Sequence, residues 1–289
     1  MENIDNISRT EIGVTEDIIL ESLKKYDDFK FEMMIPGKKY EAIIVNLDTR
    51  LTIDDWIHCG RPKILSPTTN ISYIPAGLHE HVIKLDPKEI PKITATAEHT
   101  FMLYLLACRN MHNSVFSARK NWMGVQVRNK NAAIFGIGRI GKLIQKYCAA
   151  FEMNVATYDK KDEHSKKREL LNWADVVFVC LTYDETTTDF FSIEDLPSCK
   201  KGQVFINTAR PKIVSRDLII SALSADIWKN FCTDFLNHED DKRYVDEDLK
   251  RFIDQGRVFL TPHIAGNTVD SFSMALDNVI KSYERSCDK

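Results

Sequence analysis

The stretch Asn131-Ala132-Ala133-Ile134-Phe135-Gly136-Ile137-Gly138-Arg139-Ile140-Gly141 carries a short apolar run into a G-x-G-x-x-G and a helical pattern out of it. It reads as strand, tight turn and helix. In such a unit Gly136 supplies the turn, Gly138 lets the backbone approach a pyrophosphate with no Cβ in the way, and Gly141 allows close helix-to-strand packing. Phosphates would then sit on the unpaired N–H groups and positive dipole end of the helix that Arg139 and Ile140 begin.

A lone G-x-G-x-x-G is weak, so its surroundings decide. Ile140, Leu143, Ile144, Tyr147, Cys148 and Phe151 recur at helical spacing, and Met153 to Asp159 reads as a second strand ending in an acid. Asp159 lies 18 residues beyond Gly141, close to the spacing of a carboxylate that accepts bonds from an adenosine ribose. The plain alternative is a glycine turn in an ordinary βαβ unit that binds nothing. Strand, helix and acid together favour a dinucleotide site.

Working outward, 289 residues suffice for two domains with separate cores. Hydrophobic residues at 44% and charged residues at 28% are ordinary values for a soluble protein. A net charge of −3 gives no sign of nucleic-acid or anionic-membrane binding. The basic cluster Lys160-Lys161 with Lys166-Lys167-Arg168 is broken by Asp162 and Glu163 and reads as a solvated face. Seven cysteines in no C-x-x-C spacing point to reduced structural thiols, and no metal site is expected. No apolar stretch reaches about 18 residues and the N-terminus has no signal-peptide pattern, so a cytoplasmic location is expected.

Before the glycine turn the pattern is already α/β. Residues 1 to about 30 say little, although Ile18, Ile19, Leu23 and Tyr26 suit one face of a short helix after Thr15. Tyr40 to Val45 and Pro62 to Ser66 read as strands, Asp54 to Ile57 as part of a helix, and Val82 to Leu85 as a further short strand. Pro67-Thr68-Thr69-Asn70 follows a strand at its carboxyl end, where open α/β sheets place ligands; it is equally readable as a plain turn. Thr94 to Thr100 opens a long apolar helix. From 131 onward, strands alternate with helical or mixed segments: Ala132 to Phe135, Met153 to Tyr158, Val176 to Leu181, Val204 to Asn207, Phe231 to Phe235 and Val258 to Leu260. Such alternation predicts a doubly wound parallel sheet covered on both faces, a Rossmann domain.

Three ionisable residues each follow one of these strands: Arg210, Glu239 and His263. They would converge at the carboxyl edge of the sheet. Arg210 offers a planar fork of donors for a carboxylate and an adjacent carbonyl. His263 titrates near neutrality and can give or take a hydroxyl proton, while Glu239 on its other nitrogen would orient the ring. Each alone has a dull reading, as a surface charge, one acid in Glu239-Asp240-Asp241, or a capping or core histidine after Pro262. Their joint placement favours a reaction centre.

Over nearly its whole length the chain resembles the D-isomer-specific 2-hydroxyacid dehydrogenases. The resemblance rests on Pro67 to Asn70, Ala95 to Thr100, Gly136 to Gly141 with Asp159, Asn207 to Arg210, Asp234 to Glu239, and Thr261 to Gly266. Intervals of 29 residues from Arg210 to Glu239 and 24 from Glu239 to His263 are similar to the family's arrangement. The resemblance implies an NAD-dependent oxidoreductase interconverting a D-2-hydroxy acid and a 2-keto acid, with Arg210, Glu239 and His263 catalytic. It implies that residues 1–95 and 266–289 form a smaller flavodoxin-like α/β substrate domain, discontinuous in sequence, and that 96–265 form the dinucleotide-binding domain. It further implies that Thr208 and Asp234 join Gly136, Gly138, Arg139, Ile140, Gly141 and Asp159 in serving the cofactor, that Thr69 and Asn70 with Arg210 hold the substrate, and that the helix after Ala97 serves a homodimer. Glutamate at 239 favours hydroxy-acid chemistry over that of formate dehydrogenases. Asn46 and Asp48, where phosphoglycerate members tend to carry arginines, disfavour a phosphorylated substrate.

The chain departs from the family pattern at Pro211, which stands where a glycine usually follows the arginine, and at Asn70, Asn129, Ala133 and Asn230, which stand for glycines. These mark a divergent member. Asp159 favours NAD over NADP because a carboxylate repels a 2′-phosphate, although Lys160 and Lys161 could pair with one. The alternative of another class is a dinucleotide-sensing protein with the same fold and vestigial turnover.

Overall fold

The computed structural model describes residues 10–15, 23, 25–26, 29–46, 51–68, 71, 73–86, 88–111, 123–235 and 247–287. The chain divides into two units, Met1–Ile93 with Val269–Lys289, and Thr94–Thr268. All seven cysteines are free thiols.

In the first unit five parallel strands, β1 (Thr10–Val14), β2 (Phe29–Met33), β3 (Ala42–Ile44), β4 (Lys63–Leu65) and β5 (Val82–Ile83), lie in the order β2-β1-β3-β4-β5. This is the strand order of flavodoxin-like sheets. One face, with Ile12, Val14, Ala42, Ile44 and Leu65, is covered by the C-terminal helix Val269–Cys287, whose Ala275, Leu276, Val279, Ile280 and Tyr283 form a single apolar stripe. The other face, with Ile43, Val45 and Ile64, packs on Trp56 of α1 (Ile53–His58) and on Leu51, Ile74 and Leu78. Burial on both faces explains why β3 is apolar throughout.

Strands β1 and β2 are additions to the sequence reading, which begins its strands at Tyr40. Glu11, Lys30 and Glu32 interrupt the apolar pattern there, and their charges answer one another: Lys30 Nζ lies 2.6 Å and Lys38 Nζ 2.9 Å from Glu11, and Lys38 also bonds Glu32. The helix expected after Thr15 falls largely on residues 16–22, outside the described residues.

The second unit is built on six parallel strands in the order β11-β10-β9-β8-β6-β7. These are β6 (Asn131–Phe135), β7 (Asn154–Tyr158), β8 (Val176–Val179), β9 (Gln203–Asn207), β10 (Trp228–Thr233) and β11 (Val258–Leu260). On one face lie α2 (Ala95–Cys108) and α3 (Arg139–Ala150), through Phe101, Leu103, Tyr104, Ala107, Ile144 and Cys148. On the other lie α4 (His164–Trp173), α5 (Arg216–Ser224) and α6 (Glu247–Asp254), through Leu170, Leu171, Leu218, Ala222, Leu223 and Phe252. The chain winds one way from β6 to β7 and the other way from β6 to β8. A crevice at the carboxyl ends of β6 and β8 is where such sheets take ligands. The remaining helix, α7, is Val269–Cys287 of the first unit.

Local chemistry explains the ends of these elements. Ser215 caps α5, its hydroxyl accepting the amide of Leu218 at 3.3 Å. Ser215→Ala is expected to lower unfolding free energy by about 1 kcal/mol, read from a denaturant midpoint at unchanged slope. Asn129, one of the positions where a glycine was expected, adopts φ +60, and asparagine is among the non-glycine residues that best tolerate that region. Thr94 stands at the N-cap of α2, but its hydroxyl goes to Glu98 at 2.5 Å instead of to a backbone amide.

Candidate active site

After Phe135 the chain turns at Gly136, φ +97, and Gly138 caps α3. A Cβ at Gly136 would lie 2.6 Å from the Cys180 carbonyl oxygen, and one at Gly141 would lie 1.9 Å from the carbonyl oxygen of Gly136. The chain itself therefore requires these two glycines. Gly138 is different, because among the described residues, its chain neighbours aside, no atom lies within 4 Å of where its Cβ would be. That bareness opens space before the amide end of α3, where among the described residues no side chain supplies the N-cap bond. The cradle fits a pyrophosphate. Arg139 adds a half-buried guanidinium, lowered below its usual value by burial, at the first helical position. A cation there opposes the helix dipole, and an anion bound before the helix offsets that cost. Ile140 packs against the core beneath.

Asp159 is exposed just beyond β7, with Oδ1 accepting the amide of Lys160 at 2.9 Å and its own amide bonded to Asp162 Oδ2 at 2.7 Å. The turn holds its carboxylate at the carboxyl edge of the sheet, on the strand next to the phosphate turn. That suits a ribose acceptor.

Three further turns follow β9, β10 and β11. After β9 the buried Asn207 side chain accepts the amide of Ala209 at 3.1 Å and donates to the carbonyl of Arg210 at 2.8 Å, which fixes the loop. Thr208 is buried within it. Arg210 caps a 3-10 turn, Pro211–Ile213, in which Pro211 is the first residue. A helix start has no use for the missing N–H, so the unexpected proline is seated without loss of a bond. The Arg210 guanidinium donates to Ala209 O at 2.6 Å and lies 5.8 Å from the Phe235 ring centroid, and burial lowers its pKa.

After β10, Asp234 is 1% exposed and organises the turn beyond β11. Its Oδ1 accepts the Thr261 hydroxyl at 2.5 Å and the Ile264 amide at 3.0 Å; Oδ2 accepts the Ala265 amide at 2.8 Å. Its carbonyl accepts the His263 amide at 2.8 Å. His263 is thereby held at φ +58, a conformation that costs a non-glycine residue about 1–2 kcal/mol. Its exposed ring lies 4.7 Å from the Phe235 centroid. Phe235 thus carries Arg210 and His263 on one ring: a donor fork for an anion and a group able to exchange a proton.

Of the residues expected at the site, Glu239, Thr69 and Asn70 lie outside the described residues. Phe235 was read only as the end of a strand and carries no chemical signal of its own. His99 and Thr100 were read as the start of a helix and as part of a stretch that carries the resemblance, with no role at the site, yet both reach the turns that follow β9 and β11: His99 Nε2 lies 2.9 Å from Thr261 Oγ1 and Thr100 Oγ1 2.6 Å from Thr208 Oγ1. Two adjacent ionisable residues, Glu98 and His99, before the apolar run that begins at Phe101 were the available signal. Among the described residues no group of three or more His, Cys, Asp or Glu is placed to hold a metal ion, and no helix is long and apolar enough to cross a membrane.

Residues 101–265, more than half of the chain, match the family model described as D-isomer specific 2-hydroxyacid dehydrogenase, NAD binding domain. A D-3-phosphoglycerate dehydrogenase of Archaeoglobus fulgidus is 28% identical over 257 residues, covering 82% of this chain and 47% of that protein. A D-lactate dehydrogenase of Staphylococcus aureus is 26% identical over 211 residues, 66% of this chain and 64% of that one. The chain spans about half the length of the first of these relatives. Among solved structures, a D-lactate dehydrogenase of Aquifex aeolicus complexed with NAD and lactic acid superimposes with a TM-score of 0.69 at 21% identity, over 96% of each chain. A structure from Polaromonas sp. described as a D-isomer specific 2-hydroxyacid dehydrogenase, NAD-binding, gives 0.76 at 19%, over 96% of this chain and 97% of that one. At such identities the structural likeness is one of fold.

Proposed function

The chain belongs to the D-isomer specific 2-hydroxyacid dehydrogenase family, and from that premise we propose that it interconverts a D-2-hydroxy acid and a 2-keto acid. NAD is the cofactor, and when bound as NADH it supplies the hydride that reaches the keto carbon. Gly136, Gly138, Arg139 and Gly141 cradle its pyrophosphate, Asp159 accepts from its ribose, and Ile140, Thr208 and Asp234 line its path. Arg210 binds the substrate carboxylate and polarises the carbonyl. His263 gives its proton to the new alkoxide in reduction and takes it back in oxidation. Glu239 orients that imidazole, and Thr69 and Asn70 share the substrate carboxylate. The observation that carries the reading is the common seat of Arg210 and His263 on Phe235, in the unit that also holds the phosphate turn.

The substrate we propose is small and unphosphorylated, since Asn46 offers no cation; Asp48 lies outside the described residues. We place the protein in the cytoplasm as a homodimer through α2, whose Met102 points outward. The test is absorbance at 340 nm with NADH and a panel of 2-keto acids. Oxidation with at least one supports the enzyme; tight NADH binding with none consumed leaves the dinucleotide-sensing reading in its place.

Asp159 sets the choice of dinucleotide by repelling a 2′-phosphate. In Asp159→Ser the ratio of the NADPH to the NADH dissociation constant is expected to fall about tenfold, or ~1.4 kcal/mol, in a fluorescence titration.

A further inference from the structure

We propose that His99, the fifth residue of α2, is a positioning residue for proton transfer by His263, acting through Thr261 and Asp234. The proposal rests on the role assigned to His263 above. Thr261 Oγ1 spends its proton on Asp234 Oδ1 at 2.5 Å, so toward His99 Nε2, 2.9 Å away, it acts as acceptor. His99 therefore carries its proton on Nε2 and donates. The bonds run one way, from His99 to Thr261 to Asp234. Asp234 in turn fixes His263, Ile264 and Ala265 by their amides. Burial lowers the pKa of His99, while the negative charge of Asp234, 3.7 Å from Nε2, opposes that effect; the balance favours the neutral ring, which in its Nε2–H tautomer makes this donation.

What His99 adds is a fixed reference. The turn at 261–265 is a loop with a left-handed residue at its centre, whereas α2 is anchored in the core by Phe101, Leu103, Tyr104 and Ala107. The next residue repeats the arrangement at the other turn. Thr100 Oγ1 donates to Thr96 O at 2.6 Å, so the hydroxyl of Thr208, two residues before Arg210, donates to Thr100. One helical turn thus sets the register of both strand ends. Misplacing a catalytic group by about 1 Å can cost about 10²-fold in rate.

The test compares His99→Phe, which fills the space without a donor, with His99→Gln, which restores one. His99→Phe is expected to lower kcat by about 10- to 100-fold, with the keto-acid KM and NADH dissociation constant held within about threefold. His99→Gln recovers most of the loss. The double variant His99→Phe/Thr261→Val falls no further than the worse single variant, because both cut the same chain of bonds. In protein labelled with 13C-histidine, the His263 ring resonances, assigned with His263→Asn, move in the phenylalanine variant and return toward parental positions in the glutamine variant. Parental kcat with unmoved His263 resonances in His99→Phe overturns the proposal. So does a glutamine variant no better than phenylalanine, or a parallel fall of kcat, NADH binding and melting temperature, which marks a packing role. If the parent protein consumes NADH with no keto acid, the functional reading fails, while the His263 resonances still decide whether His99 positions that ring.

Discussion

His263→Asn lowers kcat for 2-keto acid reduction by about 10²- to 10⁴-fold, the usual contribution of a positioned acid or base. Asparagine is the chosen replacement because residue 263 sits at φ +58, and asparagine tolerates that region where alanine does not. The Asp234 carbonyl still receives the amide of residue 263, so the turn survives while the exchangeable ring proton is lost. NADH affinity, which the proposed site assigns to the turn at Gly136 to Gly141, stays within about threefold, because only a group acting at the reacting carbon is altered. Steady-state rates at 340 nm and a fluorescence titration measure the two quantities. A loss below tenfold removes His263 from the proton transfer.

The second large effect separates two glycines of one motif. Gly141→Ala places a methyl carbon 1.9 Å from the carbonyl oxygen of Gly136, a backbone atom that a side-chain rotation cannot move. The helix must lift from β6, at an expected cost of about 3 kcal/mol or more, at the upper end for overpacking. In a unit of this size that is a fall of about 6–12 °C in melting temperature. Gly138→Ala meets nothing within 4 Å and leaves the melting temperature within about 2 °C, but its methyl group stands where the pyrophosphate must approach. Its NADH dissociation constant rises about tenfold or more. Calorimetry and titration on both variants decide the matter. Unchanged NADH binding in Gly138→Ala shows that the space before α3 is not the phosphate site.

The contrast also shows where sequence was informative. The β6-turn-α3 unit was legible because its apolar periods and its glycines act locally, each needed by a neighbour a few residues away. That Arg210 and His263 lie near one another was legible for a related reason: following the strand ends of a parallel sheet puts them on one edge. Strands β1 and β2 were hidden by Glu11, Lys30 and Glu32: Glu11 pairs with Lys30 across the two strands and Glu32 with Lys38 in the loop beyond β2, and such pairings leave no periodic trace. The role of Phe235 as common seat, and the bond from His99 to Thr261 across 162 residues, are products of tertiary packing that no local pattern encodes. Pro211 looked like a defect in the motif until the 3-10 turn that begins with it was seen.

The split first unit has a consequence for how the protein is made. Its sheet face of Ile12, Val14, Ala42, Ile44 and Leu65 is covered by α7, Val269–Cys287, which leaves the ribosome after every strand of both sheets. The second unit, continuous from Thr94 to Thr268, holds all of its strands before α7 is made. Synthesis therefore runs for more than two hundred residues past Leu65 before the helix that packs on that apolar face is made.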